Sequence, residues 1–201
     1  IISGAAEQLN NQDIDKNLDI LKKSKIFLTQ METPEEVTIY SLKKAKENEC
    51  ITILNPAPAR NINKEDFSLL DFFTPNETEA EFYLNKKIKS EQDIKDAANE
   101  FLKKGVKNII ITLGQKGVYF ANKNEEYFID ALKLKDEVVD TTGAGDAFNG
   151  AFASCLTKDM LIYDSVRFAC AAGALAVSKK GVQDSMPYSN DIYSFIENYC
   201  R

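Results

Sequence analysis

Short apolar runs alternate along this chain with longer segments in which apolar residues recur at helical spacing. Runs such as 51–54 (Ile-Thr-Ile-Leu) and 108–113 (Asn-Ile-Ile-Ile-Thr-Leu) have the length and composition of buried strands. Alternation of strands and helices is typical of βαβ units built around a parallel sheet. The pattern therefore predicts an α/β fold, with a mostly parallel central sheet and helices on both of its faces.

Turn and capping residues predict where these elements begin and end. The predicted strands are 26–28, 51–54, 72–74, 108–113, 118–121 and two short ones between 127 and 139. The predicted helices are 33–48, one opening at 75–79, 90–105, 146–157, 161–179 and 191–199. Thr33 is predicted to cap the first helix, with Glu36 completing a capping box. Since no repeat or linker interrupts the pattern, residues 1–201 are predicted to form a single domain.

The composition narrows the chemistry that the chain can perform. Its formal charge of -6 disfavours nucleic-acid binding, because phosphate backbones are held mainly by clustered Lys and Arg. Histidine is absent, which excludes Ser-His-Asp and Cys-His hydrolases and most catalytic zinc sites. An acid–base catalyst must then be Asp, Glu, Lys, Tyr or Cys. The widely spaced cysteines are predicted to be reduced thiols: Cys50, Cys155, Cys170 and Cys200.

The ends of the chain and its apolar runs bear on location. Neither a long apolar run nor a signal-peptide pattern occurs, which predicts a cytoplasmic protein without a membrane segment. The chain opens on Ile1-Ile2-Ser3-Gly4, without an initiator Met and with the character of a strand interior. We therefore expect it to be a fragment or a cleavage product.

One stretch combines a strand end, small residues and a helix start: Asp140-Thr-Thr-Gly-Ala-Gly-Asp146. Consecutive amides at Gly143, Ala144 and Gly145, joined to a helix N-terminus, form a concave anion hole that attracts phosphate oxygens. Asp146 is placed to act as the general base that accepts the proton of an attacking alcohol. The other interpretation of this stretch is an ordinary helix cap in which glycines make the turn.

The complete string resembles the ribokinase, or PfkB, family of carbohydrate kinases. Residues 140–153 match the family's second signature at every position that it fixes. The resemblance continues in family order through 55–60 (Asn-Pro-Ala-Pro-Ala-Arg), 74–80 (Thr-Pro-Asn-Glu-Thr-Glu-Ala), 111–117 (Ile-Thr-Leu-Gly-Gln-Lys-Gly) and 167–169 (Arg-Phe-Ala). It covers effectively the whole chain and is greatest for the ribokinase subfamily. It implies a ribokinase-like fold, truncated at the N-terminus.

The resemblance implies an ATP site. Its implied contacts are Asn76, Thr112, Leu113, Gly114, Gln115, Lys116, Gly117, Gly145, Asp146 and Cys170. In this set, Asn76 lies near the phosphates and 112–117 is the nucleotide-binding turn. Cys170 stands in the adenine pocket, where bacterial ribokinases often have histidine. The residues alone leave open a hairpin without a ligand for 112–117 and a plain core residue for Cys170.

The resemblance also implies two cations. Glu79 would position Mg²⁺ through water, which agrees with the preference of that ion for oxygen ligands and retained waters. A monovalent-cation site, usually for K⁺, would be formed by Asp140, Thr142, Ala176, Lys179, Gly181 and Ser185, mostly through backbone carbonyls. The simpler alternatives are a helix-start acid for Glu79, a turn residue for Asp140 and a solvated surface lysine for Lys179.

The implied reaction is the ATP-dependent phosphorylation of D-ribose at O5 to ribose 5-phosphate, with Glu32 and Asp146 contacting the sugar. The family's N-terminal third, which carries the lid, most sugar contacts and the usual dimer surface, has no counterpart before Ile1. The complete protein is expected to be a homodimer, and the sequence leaves open whether the chain alone is active. There are two alternatives: another kinase of the family that acts on a nucleoside or a different sugar, and a nucleotide-binding fragment without activity. A dinucleotide oxidoreductase is disfavoured because the Gly-x-Gly-x-x-Gly spacing is absent.

Overall fold

The computed structural model describes residues 4–132, 134 and 137–199. Its contacts divide the chain into two compact units. The described part of the first comprises 4–113 and 119–127, and that of the second 114–118, 128–132, 134 and 137–199. The single-domain organisation stays a prediction, and each unit is described by itself.

A six-stranded sheet dominates the first unit. Its strands are β1 (Ile26–Thr29), β2 (Ile51–Leu54), β3 (Phe72–Phe73), β4 (Asn108–Thr112), β5 (Val118–Asn122) and β6 (Glu126–Ile129), in the spatial order β1-β2-β3-β4-β5-β6. The first four strands are parallel, with Ile26 opposite Ile51, Ile53 opposite Phe72 and Phe73 opposite Ile109. The links 113–117 and 123–125 are too short for parallel crossovers, so β5 and β6 form a hairpin edge. The predicted α/β fold is confirmed.

Helices connect the parallel strands of this unit. They are α1 (Asn11–Asp15), α2 (Leu18–Leu21), α3 (Glu35–Glu47), α4 (Glu77–Leu84) and α5 (Glu91–Lys104), with 3₁₀ turns at Gly4–Gln8 and Lys64–Leu69. Ser90 caps α5 and Gly105 ends it with φ 113°, as predicted. The predicted Thr33 cap is wrong, because Pro34 occupies the N-cap of α3 without a side-chain bond. The Thr33 hydroxyl pairs instead with that of Thr38, at 2.7 Å.

Apolar strands and aromatic rings form the interior of the first unit. Ile53, Leu54, Phe73 and Ile109 are fully buried. Phe73 packs edge-on against Phe67 and Phe101, with ring centroids 5.6 and 5.1 Å away. Such pairs add to the free energy gained by removing apolar surface from water.

A buried carboxylate, Asp71, joins elements beside this core. Its Oδ2 accepts bonds from the Thr52 amide at 2.9 Å and the Lys46 ammonium at 2.8 Å. Lys107 is paired with Oδ1 at 2.7 Å. Burial by itself raises the pKa of Asp71, but the bonds from Lys107, Lys46 and Thr52 outweigh it and hold the pKa below its usual value. Asp71 therefore acts as an ionised tie among β2, β3, β4 and α3.

The second unit contains the turn 114–117, which is predicted to bind a nucleotide, and three helices. These are α6 (Ala144–Thr157), α7 (Ile162–Ala176) and α8 (Ser189–Tyr199). They pack through a cluster of buried residues: Leu132, Cys155, Phe168, Ala171, Ala172 and Ile192. Two strands were predicted between 127 and 139, but in the part of this segment that the structure describes only β6 occurs. Leu132, which follows β6, is buried in the helical cluster instead of pairing in a strand.

Among the described helices, none is long and apolar enough to span a membrane.

Candidate active site

The glycine-rich turn opens α6, two residues before the predicted start at Asp146. Gly143 is the N-cap in the left-handed conformation, with φ 80°, and the helix begins at Ala144. Glycine adopts this conformation without the steric cost of a Cβ. The Gly143 carbonyl accepts a bond from the Ala147 amide at 2.9 Å, and the Ala144 amide donates to the Thr141 carbonyl at 3.3 Å. Asp146 lies in the first turn of α6 and its side chain is exposed, where the helix dipole favours a carboxylate.

The residue Gly145 leaves its side of the first turn open. A Cβ atom built at this position would have no heavy atom within 4 Å, outside the local backbone. Gly145 is exposed, whereas its carbonyl accepts a bond from the buried Asn149 side chain at 2.9 Å. The open face has room for an anionic oxygen beside the helix N-terminus, which suits the predicted anion hole at Gly145, whereas the Ala144 amide already donates to the Thr141 carbonyl.

The residue Asp140, which lies in a loop and not at the end of a strand as predicted, folds back onto its own turn. Its Oδ1 accepts a bond from the Thr142 amide at 2.9 Å. The backbone and side-chain bonds from Thr142, with smaller effects of Gly181 and Lys180, hold the pKa of Asp140 below its ordinary value. The amides of Val139 and Asp140 both donate to the Val177 carbonyl, at 2.8 and 3.3 Å. Asp140 is therefore ionised and tied to the segment that follows α7.

Several residues of the predicted K⁺ site meet in this part of the second unit. Ala176 is buried at the end of α7, and its carbonyl accepts from the Lys179 amide at 3.5 Å. Gly181 bonds Asp140 through its backbone, and its own φ is 95°. Ser185 is buried and donates from its Oγ to the Val182 carbonyl at 2.9 Å. Lys179 is exposed.

The available donor atoms suit a hard, weakly bound cation. The described residues contain no group of three His, Cys, Asp or Glu side chains that could hold a metal. Backbone carbonyls and the Asp140 carboxylate are oxygen donors of the kind that such a cation accepts. The oxygen donors of this segment are therefore compatible with the predicted K⁺.

The predicted nucleotide turn is a 3₁₀ turn at Gly114–Lys116, closed by a 3.0 Å bond from the Gly117 amide to the Gly114 carbonyl. Gly114, Gln115 and Lys116 are exposed, and Gly114 has φ 57°. Gly117 has φ 97°, and a Cβ there would lie 1.9 Å from the Ile129 carbonyl oxygen. Backbone is thus brought to the surface in a fixed turn, as binding a nucleotide through its backbone requires.

In the first unit, two predicted ATP contacts lie side by side. Asn76 forms an isolated parallel bridge with Thr112, and the Thr112 amide donates to the Pro75 carbonyl at 2.9 Å. This bridge extends the β3–β4 pairing past the end of β3, to the last residue of β4. The adjacent Leu113 side chain is buried, so a ligand would meet its backbone.

Asn76 and Glu79 form a capping box at the start of α4. The Glu79 amide donates to Asn76 Oδ1 and the Asn76 amide donates to Glu79 Oε2, both at 2.8 Å. Burial raises the pKa of Glu79, partly offset by the bond from Asn76. The cap uses one carboxylate oxygen, and the other, Oε1, is the atom that a magnesium-bound water would meet. The geometry fits the predicted role of Glu79 and also gives it a structural one.

The residue Cys170 packs against the α6–α7–α8 cluster. Burial raises the pKa of its thiol to about 12, so the thiol stays protonated near neutral pH. It is a free cysteine, as are Cys50 and Cys155. Its contact with adenine stays a prediction, and Cys200 lies outside the described residues.

Glu32 is exposed in the loop that leaves β1. Two bonds tie this loop to the one after β2: the Met31 amide donates to the Ala57 carbonyl at 3.0 Å, and Arg60 Nη1 donates to the Thr33 carbonyl at 3.2 Å. The carboxyl ends of parallel strands are where α/β folds bind ligands. Arg60, which the sequence did not single out as a site residue, thus fixes the loop that carries Glu32.

Comparison with known proteins identifies the family. The model of the pfkB family of carbohydrate kinases matches residues 1–188. The chain is 39% identical to the ribokinase of Staphylococcus aureus over 96% of its length and 63% of that protein, and 36% identical to the ribokinase of Haemophilus influenzae over 98% and 64%.

Solved structures of ribokinases resemble this chain in fold as well as in sequence. The Thermotoga maritima ribokinase structure has a TM-score of 0.87 and 40% identity, covering 98% of this chain and 64% of that one. An Arabidopsis thaliana ribokinase complexed with ribose and ATP has a TM-score of 0.86 and 31% identity, covering 91% and 59%. The chain thus spans less than two thirds of the length of these relatives. Because the family model, the sequence identities and the fold all point to the same family, this chain belongs to the pfkB family of carbohydrate kinases.

Proposed function

We propose that the complete protein is an ATP-dependent ribokinase that phosphorylates the O5 hydroxyl of D-ribose to give ribose 5-phosphate. The observation that carries this proposal is Asp146, exposed in the first turn of α6 behind the left-handed Gly143. Ribokinases at 36–39% identity support the sugar substrate.

The proposed base is Asp146. Its carboxylate accepts the proton of the O5 hydroxyl as that oxygen forms a bond to the γ-phosphorus of ATP. The bond between the γ-phosphorus and the bridging oxygen breaks, and ADP leaves with the electron pair. The carboxylate of Asp146 is exposed at a helix start, where the helix dipole favours negative charge, and a chain without histidine has Asp, Glu, Lys, Tyr or Cys as its possible bases.

The proposed anion hole is formed by the amides of Gly143, Ala144 and Gly145. Preorganised amides stabilise negative charge that develops on the transferred phosphoryl group, and removal of one such donor typically costs roughly 100- to 1,000-fold in kcat. The left-handed Gly143 directs the chain into α6, and the open face of Gly145 admits the oxygen.

The proposed ATP contacts are those that the family resemblance implies: Asn76, Thr112, Leu113, Gly114, Gln115, Lys116, Gly117, Gly145, Asp146 and Cys170. Glu79 is proposed to hold a water of Mg²⁺, which neutralises phosphate charge when bound. The Arabidopsis structure with ATP, and an Escherichia coli structure containing ATP and Mg²⁺ at 26% identity, support this assignment. Because the raised pKa keeps its thiol neutral, Cys170 would offer the adenine an uncharged contact.

A monovalent cation, K⁺, is proposed to bind at Asp140, Thr142, Ala176, Lys179, Gly181 and Ser185. When bound, it supplies a positive charge beside the turn that precedes α6. The Asp140 carboxylate already accepts a bond from the Thr142 amide. The protein itself therefore ties Asp140 to the turn that leads into Gly143.

The sugar is proposed to contact Glu32 and Asp146. A deoxyribokinase of Salmonella typhi is 35% identical over 93% of this chain, which makes 2-deoxy-D-ribose a second candidate substrate. A nucleoside, another sugar, or nucleotide binding without activity are the remaining alternatives. Homodimerisation and a cytoplasmic location belong to the same proposal.

Phosphoryl transfer by the complete protein tests this function. With ATP, Mg²⁺ and K⁺, we expect ³¹P NMR to show ribose 5-phosphate, with smaller rates for 2-deoxyribose, fructose and adenosine. Faster transfer to 2-deoxyribose than to D-ribose would make 2-deoxyribose the preferred substrate. If none of the four compounds is phosphorylated, the proposed kinase activity is rejected. A thermal-shift titration of the 201-residue chain with a non-hydrolysable ATP analogue tests binding separately, because a ligand of the native state raises the melting temperature.

A further inference from the structure

Two apolar side chains cover Gly143, although neither carries chemistry in the proposed reaction. A Cβ atom at Gly143 would lie 3.0 Å from Val182 Cγ1 and 3.2 Å from Met186 Cε. Val182 and Met186 thus occupy the side of Gly143 on which any other residue would place its own side chain. All three residues belong to the second unit.

The turn 182–186 is itself held in place. Ser185 is 1% exposed, and its Oγ donates to the Val182 carbonyl at 2.9 Å. The Met186 amide donates to the Gln183 carbonyl at 3.3 Å. These bonds keep Val182 against Gly143 even though 42% of Val182 is exposed. A surface valine needs no explanation by itself, but one packed on a left-handed glycine at the start of a helix restrains that glycine.

Gly143 needs such a restraint because a glycine populates positive and negative φ about equally. The bond from the Ala147 amide fixes its carbonyl, at 2.9 Å. The packing of Val182 and Met186 acts on the side of the residue that a Cβ atom would occupy. A change of φ at Gly143 would turn the peptide planes that enter α6 and move their amides.

We infer that Val182 and Met186 are positioning residues of the phosphoryl-transfer site. By packing on Gly143, they hold its left-handed conformation and fix the direction of the amides of Gly143, Ala144 and Gly145. The expected effect on the rate of phosphoryl transfer rests on the proposed function, whereas the orientation of the amides by Val182 and Met186 does not. Their importance follows from geometry, because a misplacement of about 1 Å in an active site can lower a rate roughly 100-fold.

Truncation of each side chain in the complete protein tests the inference. We expect Val182→Ala and Met186→Ala each to lower kcat about tenfold while the KM values for ATP and ribose change less than about twofold. Val182→Ile and Met186→Leu, which keep apolar contact, should retain most of the activity. Ile196→Ala is the matched control, since Ile196 packs on the helical cluster of the same unit. It should lower the melting temperature and leave kcat unchanged.

A second readout does not depend on activity. In ¹⁵N–¹H spectra, the amide signals of Gly143, Ala144 and Gly145 should shift in Val182→Ala and Met186→Ala and stay in place in Ile196→Ala. Unshifted amides, or an unchanged kcat in both truncations, would overturn the inference. If the wild-type protein transfers no phosphoryl group, the proposed function fails, and the amide shifts alone decide whether Val182 and Met186 orient the turn.

Discussion

Asn76 and Glu79 bond each other twice across the first turn of α4. Asn76 Oδ1 accepts from the Glu79 amide, and Glu79 Oε2 accepts from the Asn76 amide, both at 2.8 Å. The same two residues are the predicted phosphate and magnesium contacts of the first unit. The capping carboxylate is thus also the proposed magnesium contact, and substitutions can separate the two roles.

Glu79→Gln is expected to keep the cap and lose the metal effect, because Gln also completes a capping box. Its melting temperature should match the wild type, while the Mg²⁺ concentration needed for half-maximal activity should rise. Glu79→Ala should show the same Mg²⁺ defect and also lose about 1 kcal/mol of unfolding free energy. Thermal unfolding and Mg²⁺ titrations measure the two effects. A normal Mg²⁺ requirement in Glu79→Gln would leave Glu79 with the capping role alone.

The raised pKa of Glu79 predicts a pH dependence of stability. A carboxyl group whose pKa is higher in the folded than in the unfolded state makes the native state bind more protons. Its contribution to stability is therefore lost as pH rises from the ordinary pKa through the raised one. Urea unfolding across this interval should show the fall in wild type and a flatter profile in Glu79→Gln. Parallel profiles would mean that the pKa of Glu79 is not raised.

Gly117 and Gly114, both in the predicted nucleotide turn, allow two Gly→Ala substitutions to be compared for their effect on stability. Gly117→Ala would place a Cβ 1.9 Å from the Ile129 carbonyl oxygen, so the backbone must move. We expect a loss of more than about 4 kcal/mol, or failure to fold. Gly114→Ala meets no atom within 4 Å and has only the strain of φ 57°, about 1 kcal/mol. Chemical unfolding checks the order, and equal losses would contradict it.

Asp71→Asn should destabilise the first unit at neutral pH by about 2 kcal/mol, because bonds to a charged group are lost. The exposed pair of Asp19 with Lys22 is the control, and Asp19→Asn should have no measurable effect. Since the pKa of Asp71 is lowered on folding, its contribution is present above the unfolded pKa and is lost as pH falls through the folded one. The difference between wild type and Asp71→Asn should therefore vanish in acid. A constant difference would exclude ionisation as its cause.

The elements that the sequence predicted well are those with local causes. Ser90 and Gly105 mark the ends of α5 because capping depends on neighbouring backbone. The short helices α1 and α2 were missed, even though α1 has a local signal in the capping box of Asn10 and Asp13. Thr33 failed as a cap because its hydroxyl has a partner further along the chain, Thr38. Tertiary bonds of this kind have no local pattern.

The candidate site also contains residues that the sequence predicts and residues that it does not. The turn at 140–146 was predictable because its glycines and carboxylates are adjacent in sequence. Val182 and Met186 could not be predicted, since apolar residues carry no chemical signal and reach Gly143 only through the fold. The same holds for Arg60, whose bond to the Thr33 carbonyl joins two loops.

Replacement of Asp146 by Asn is the most direct test of the central claim. The change keeps the size of the side chain and removes the ability to accept a proton from the sugar hydroxyl. In the complete protein, we expect single-turnover transfer from ATP to D-ribose to fall by roughly 100- to 10,000-fold, with ATP and ribose affinities nearly unchanged. Normal turnover in Asp146→Asn would contradict the assignment of Asp146 as the base.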